Sequence, residues 1–142
     1  MFYNKILKSL RKNNFCPFCH EGKKFIILEN KFAYITPARA PYINNHLLVI
    51  PKRHALNLSK LKGKEKKAIF DLIMQGIKIL EKKYPAVEMG YKEGDLLSAR
   101  KTIPHLHFHL VPKRKRNKLI NMKRNFLDEK ELIKKVEEIK NF

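Results

Sequence analysis

The chain has 142 residues and carries 32 Lys and Arg against 13 Asp and Glu, a formal net charge of +19. Hydrophobic residues make up 44%, which excludes a disordered polyelectrolyte and suggests a single domain, residues 1–142, able to bury a real core. The charge favours polyanionic partners (nucleotides, nucleic acid or an anionic surface), or else reflects a Lys-rich composition, since the lysines run along the whole chain.

The first stretch, "MFYNKILKSLRKNNF", is basic and mildly amphipathic. It has neither the apolar centre nor the small-residue cleavage site of a secretory signal. Phe2, Ile6, Leu7 and Leu10 stand at helical spacing, so a short helix or arm is expected over residues 1–15. The longest apolar run, "HLLVIP", is too short to cross a bilayer. These features lead to the expectation of a cytoplasmic protein without a membrane partner, its two cysteines thiols or metal ligands and not a disulfide.

"CPFC" at 16–19 precedes a turn at "HEGKK". Residues 24–30 and 31–37 read as two strands joined near Asn30 and Lys31, and "ARAPYINN" as a loop. Residues 46–54 read as a buried strand ended by Pro51. Ser59 is the expected N-cap of a helix from about Lys60 to Tyr84, with Ile69, Leu72, Ile73, Ile77 and Leu80 on one face and Pro85 as its stop. Residues 86–94 and the stretch "TIPHLHFHLVPK" are the remaining strands. A basic segment, 113–126, leads to a C-terminal helix within 127–142 supported by i,i+4 charge pairs. Antiparallel strands with two or three helices make the fold class α+β.

Three of the six histidines fall within five residues: His105, His107 and His109. Strand alternation puts them on one face, roughly 7 Å apart, with Leu106, Phe108 and Leu110 on the other. The apolar face belongs on the core. Three imidazoles side by side are hard to account for as packing, because each buried ring needs hydrogen-bond partners. They are metal ligands or a face aimed at a substrate. Cys16 and Cys19 have the spacing of half a zinc site, of a redox pair, or of two small buried thiols. A tetrahedral site needs two more ligands, from His20, His46, His54 or the triad, and His20 beside Cys19 is badly placed for it.

"HLHFHLVPK", the upstream "PYINNHLLVIPKRH" and the N-terminal "FCPFC" occur in an order that together resembles the histidine triad (HIT) family of nucleotide hydrolases and transferases, in its zinc-containing branch. The resemblance implies a five-stranded antiparallel sheet with two main helices and a C-terminal helix, usually in a homodimer. It implies cleavage at the α-phosphate of a purine nucleoside phosphoramidate or a dinucleoside polyphosphate. His107 would be the nucleophile, oriented by the carbonyl of His105, with His109 on the phosphate and His46 completing a four-histidine cluster. In zinc-bearing relatives the corresponding ligands would be Cys16, Cys19, His54 and His105. Four protein ligands leave no open position, so the Zn2+ would be structural.

The chain departs from the family pattern in places. Asn45 stands where a Gly precedes the upstream histidine, and Tyr34 stands where an acidic or amide residue binds the ribose. In the loop "LLSARKTIPH", Ser98 and Thr102 are candidates for phosphate contacts or leaving-group protonation. Arg100 and Lys101 are either phosphate-binding or part of a solvated loop. An apolar base pocket would be drawn from Phe25, Ile27, Phe32 and Ile35. Two other readings remain: a nucleic-acid adenylate hydrolase gripping its substrate with the basic segment, and a non-catalytic nucleotide-binding protein.

Overall fold

The computed structural model describes residues 16–20, 24–94, 103, 105–115 and 126–142. The expected arm at 1–15, Ser98, Arg100, Lys101, Thr102, most of the basic segment and the side chain of His20 lie outside the described residues.

The chain runs through α1 (Pro17–His20), β1 (Leu28–Glu29), β2 (Ala33–Pro37), β3 (Leu47–Pro51), a 3-10 turn (Leu58–Lys60), α2 (Gly63–Glu81), β4 (Ala86–Tyr91), β5 (Phe108–Lys113) and α3 (Glu129–Lys140). The five strands form one antiparallel sheet in the order β1-β2-β3-β5-β4. This is the five-stranded antiparallel α+β architecture expected from the sequence.

Register sorts the side chains into two faces. Ile35 lies opposite Val49, and Val49 opposite Phe108. These residues share one face with Ala33, Leu47 and Leu110, packed against Ile69, Leu72, Ile73 and Leu80 of α2. The helix approaches closely at Gly76, where an added Cβ would come within 2.5 Å of Leu110 Cδ1. The other face pairs Leu48 with His109 and Tyr34 with Ile50. It carries a second cluster of Phe18, Tyr34, Ala38, Leu48 and Ile50.

Local expectations are corrected at several ends. Ser59 does not cap α2; it sits in the 3-10 turn, and the N-cap is Lys62, whose backbone N–H donates to Glu65 Oε1 at 3.0 Å. The helix ends at Glu81, four residues before Pro85. The strand expected over 24–30 shrinks to Leu28–Glu29, and the ladder of β5 begins only at Phe108. At α3, Asp128 accepts from the backbone N–H of Glu131 and the Glu131 side chain accepts from that of Asp128, a reciprocal cap that stops fraying.

Candidate active site and metal centre

Two centres meet at the entry to β5. The first joins α1, the segment after β3, and His105. Cys16 Sγ lies 3.3 Å from His105 Nδ1, Cys19 Sγ 3.3 Å from His54 Nδ1, and the two Nδ1 atoms are 3.0 Å apart. The donor atoms of all four residues fall within 4.8 Å of one another. Leu106 N–H donates to the carbonyl of Ala55 at 2.7 Å, which ties the chain beside His54 to the chain beside His105.

The chemistry of this donor set fits a tetrahedral soft-to-borderline ion. His105 Nε2–H donates to the carbonyl of Pro51 at 2.9 Å, so the neutral ring carries its lone pair on Nδ1, facing the centre. Two imidazole nitrogens and two sulfurs converging this closely match the edges of a tetrahedron with bonds of about 2.0–2.3 Å. Burial, the leading cause, pushes the Cys16 thiol up to about 11, with the Cys19 backbone N–H opposing the rise and the Cys19 side chain adding to it. A cation at the centre offsets that preference for the protonated form.

The second centre is the histidine cluster. His107 Nδ1–H donates to the carbonyl of His105 at 2.8 Å, which leaves the lone pair on Nε2. The Tyr42 backbone N–H donates to His46 Nδ1 at 3.2 Å, so His46 carries its proton on Nε2 and donates to His109 Nδ1 at 2.9 Å. His109 therefore holds its own proton on Nε2. Backbone groups thus fix a nucleophilic nitrogen on His107 and an N–H donor on His109, with the two rings 4.9 Å apart. Around neutral rings this is a nucleophile beside an electrophilic donor.

Packing holds the rings in place. Phe18 sets its edge against His105 and His107, with centroids 5.6 and 5.2 Å away. Tyr42 stacks on His46 and His109 at 4.8 and 5.7 Å. Neither aromatic was singled out from sequence. Tyr42 stands four residues before His46 in a loop without periodicity, and only the stacking gives it a role. Asn45 adopts φ 68°, the left-handed region that a Gly takes most easily, and its Nδ2 donates to the Tyr84 hydroxyl at 2.8 Å. That backbone turn delivers His46 to the start of β3.

The site expectations divide. Cys16, Cys19, His54 and His105 are brought together, as are His46, His107 and His109. Ile27 and Ile35 are not brought to the histidine face; both lie in the core beneath α2. Phe25 is buried with the Arg39 guanidinium over its ring, and Phe32 lies beside Lys31 at the far end of β2. The apolar surface next to the histidines is instead Phe18, Tyr34, Leu48, Ile50 and Ile26. Tyr34 is fully buried and donates its hydroxyl to the Phe18 carbonyl at 2.9 Å, pinning α1 to the sheet. Burial holds that phenol protonated, well above its usual range.

Comparisons with known proteins agree with this geometry. Residues 20–116 match the HIT domain family. An uncharacterized 16.1 kDa HIT-like protein of Mycoplasma pneumoniae is 32% identical over 112 residues, covering 76% of this chain and 78% of that protein. An asymmetrical bis(5'-nucleosyl)-tetraphosphatase of Schizosaccharomyces pombe is 31% identical over 75 residues, 53% of this chain, and the chain spans 41% of that enzyme. A Zn-bound histidine triad family protein from Mycobacterium smegmatis superposes with a TM-score of 0.67 at 20% identity, covering 89% of this chain and 96% of that one. The chain belongs to the HIT family.

Proposed function

We propose that the protein is a nucleotidyl hydrolase or transferase. It acts at the α-phosphate of a purine nucleoside phosphoramidate or a dinucleoside polyphosphate, through a covalent nucleotidyl intermediate on His107. The observation that carries this reading is the 2.8 Å bond from His107 Nδ1–H to the His105 carbonyl, which leaves Nε2 unprotonated on a ring beside that of His109. The fission yeast relative, a dinucleoside tetraphosphatase by name, supports the substrate class.

In this mechanism His107 Nε2 attacks the α-phosphorus and the bond to the leaving group breaks, its electron pair departing with that group. His109 Nε2–H hydrogen-bonds a phosphoryl oxygen and stabilises the added negative charge. A polyphosphate leaves as an anion, whereas an amine leaving group also takes up a proton from solvent. Water, or a second phosphate, then attacks phosphorus and the P–N bond to His107 breaks. The lone pair returns to Nε2, a nucleoside monophosphate or its phosphorylated counterpart is released, and with water a proton passes to solvent. The His46 ring keeps His109 in the required tautomer throughout.

The metal in this reading is a structural Zn2+ held by Cys16, Cys19, His54 and His105. When bound it neutralises the two thiolates and locks His105. A homodimer is expected on the resemblance alone and is tested by light scattering. Among the described residues no helix is long and apolar enough to cross a membrane.

A substrate panel tests the reading. Adenosine phosphoramidate, diadenosine tetraphosphate with and without inorganic phosphate, and adenylated DNA are incubated with the protein, and released nucleotide is separated by chromatography. Release of AMP or ADP from one of the first two, abolished in His107→Ala, is the expected result. Binding of AMP with no turnover of any member would establish a non-catalytic protein instead.

A further inference from the structure

A basic groove lies away from the histidine cluster, where the residues after β3 meet the start of α2. Its lining is Lys31, Phe32, Lys52, Arg53 and Lys62 to Glu65, and its volume is about 710 Å3. Five of these eight side chains are cationic and one is a carboxylate. That carboxylate, Glu65, is already committed: the Arg53 guanidinium donates to both of its oxygens, at 3.0 and 2.8 Å. Lys52 pairs with Glu29 at 3.2 Å across the rim. Lys31, Lys62 and Lys64 are exposed, and among the described residues they have no ion-pair partner.

The described start of the basic segment behaves differently. Lys113 is paired with Glu88 at 2.6 Å, while Arg114 donates to the Lys83 carbonyl at 2.7 Å and lies over the Tyr84 ring. Lys113 and Arg114 thus have partners at the surface, as Lys52 and Arg53 do, whereas Lys31, Lys62 and Lys64 of the groove have no ion-pair partner among the described residues. The groove also holds an aromatic ring, with Lys31 Nζ 5.5 Å from the centroid of Phe32 on one side of it. Phe32 is half-buried in its wall and its carbonyl accepts from Lys52 N–H at 2.8 Å, which fixes it beside the lysines. At Gly63 an added Cβ would meet nothing within 4 Å, so this part of the lining is open.

We propose that this groove docks a single-stranded nucleic acid, with phosphates against Lys31, Lys52, Lys62 and Lys64 and a base stacked on Phe32. Several surface cations along a groove with a neighbouring aromatic is the chemistry that holds single strands with little regard for sequence. A duplex, whose bases are stacked on each other, makes no use of Phe32. The proposal concerns binding alone and is independent of the nucleotide chemistry at His107.

Fluorescence anisotropy with a labelled 12-nucleotide oligomer tests it, without any readout of turnover. The triple variant Lys31→Gln, Lys62→Gln, Lys64→Gln is compared with Lys78→Gln, Lys130→Gln, Lys140→Gln, which removes the same charge from exposed positions on the helices. Circular dichroism verifies that both remain folded, as expected for exposed side chains. The groove variant is expected to bind at least tenfold more weakly and to lose about 2 from the slope of log affinity against log salt. The helix variant should stay within about threefold of the parent. Phe32→Ala should weaken the oligomer about tenfold and leave inorganic polyphosphate unaffected. Equal losses in the two triple variants would overturn the proposal in favour of net charge, and no oligomer binding at low salt would overturn it outright. Polyphosphate binding as tight as the oligomer's, with no effect of Phe32→Ala on either, would replace the nucleic acid with a simple polyanion.

Discussion

The carbonyl of His105 accepts from His107 Nδ1 at 2.8 Å, while the His105 ring, on the same residue, faces Cys16, Cys19 and His54. One residue therefore belongs to both centres: its ring to the Cys16, Cys19 and His54 cluster, its backbone to the proposed nucleophile, His107. Displacing that ring displaces the acceptor that sets the tautomer of His107.

The first expected outcome follows from this sharing. Purified protein should contain about one zinc per chain, and Cys16→Ser with Cys19→Ser should remove it. The melting temperature should fall by several degrees, and nucleotide release should fall about 10–100-fold although neither cysteine belongs to the His46, His107 and His109 cluster. Elemental analysis, thermal melts and turnover measure the three effects. Zinc-free wild-type protein would contradict the assignment.

His46→Ala removes the donor to His109 Nδ1. The His109 proton is then no longer held on Nε2, and turnover should fall by about 100-fold. The loss should be of similar size for a phosphoramidate and a dinucleoside polyphosphate, because His109 serves phosphoryl oxygens that both share. Parallel kinetics on the two substrates check it.

Asn45 holds a left-handed backbone, and its Oδ1 is buried without a hydrogen-bond partner among the described residues. Asn45→Gly suits that conformation and removes the unpaired acceptor, though it also gives up the bond to Tyr84. Its stability should stay within about 0.5 kcal/mol of the parent. Asn45→Val should lose about 1–2 kcal/mol in urea denaturation, because a β-branched side chain is strained at positive φ. Turnover should fall with it as His46 shifts.

The Arg53 guanidinium, hydrogen-bonded to Glu65, holds that carboxyl below its ordinary value of 4.5. A carboxylate depressed on folding stabilises the fold above its unfolded pKa, and that contribution is lost as pH falls through the folded value. Glu65→Gln should therefore be less stable than wild type at pH 7. The gap should narrow below about pH 4.5, followed by urea titrations across pH. The pair is half open to water at Arg53, so the gap should be small.

Much of this was legible because it is local. The alternation at His105, His107 and His109 shows in two two-residue steps, and the apolar residues between them show which way the strand must turn. The CxxC spacing marks half a metal site. What joins the halves is long-range: nothing in the residues near His54 says that its ring will meet His105, and only the family pattern supplied that pairing. Ile27 and Ile35 stand away from the histidine face for a related reason. Ile27 and Ile35 are apolar strand residues, but which face they join depends on register across β2, β3 and β5. Pairing Ile35 with Val49 and Val49 with Phe108 sends Ile35 to the core, while Tyr34 goes to the histidine side. Tyr42 escaped notice because loops carry no periodic signal, and Ser59 misled because a good capping residue also suits a 3-10 turn.

The central claim is the covalent step on His107, and rapid-quench intact mass spectrometry tests it most directly. Protein mixed with diadenosine tetraphosphate and quenched within the first turnover should carry the added mass of one adenylyl group. Peptide mapping should place that group on His107, and His107→Ala should carry none. Turnover of substrate by wild type without any such adduct, or an adduct that persists in His107→Ala, would contradict it.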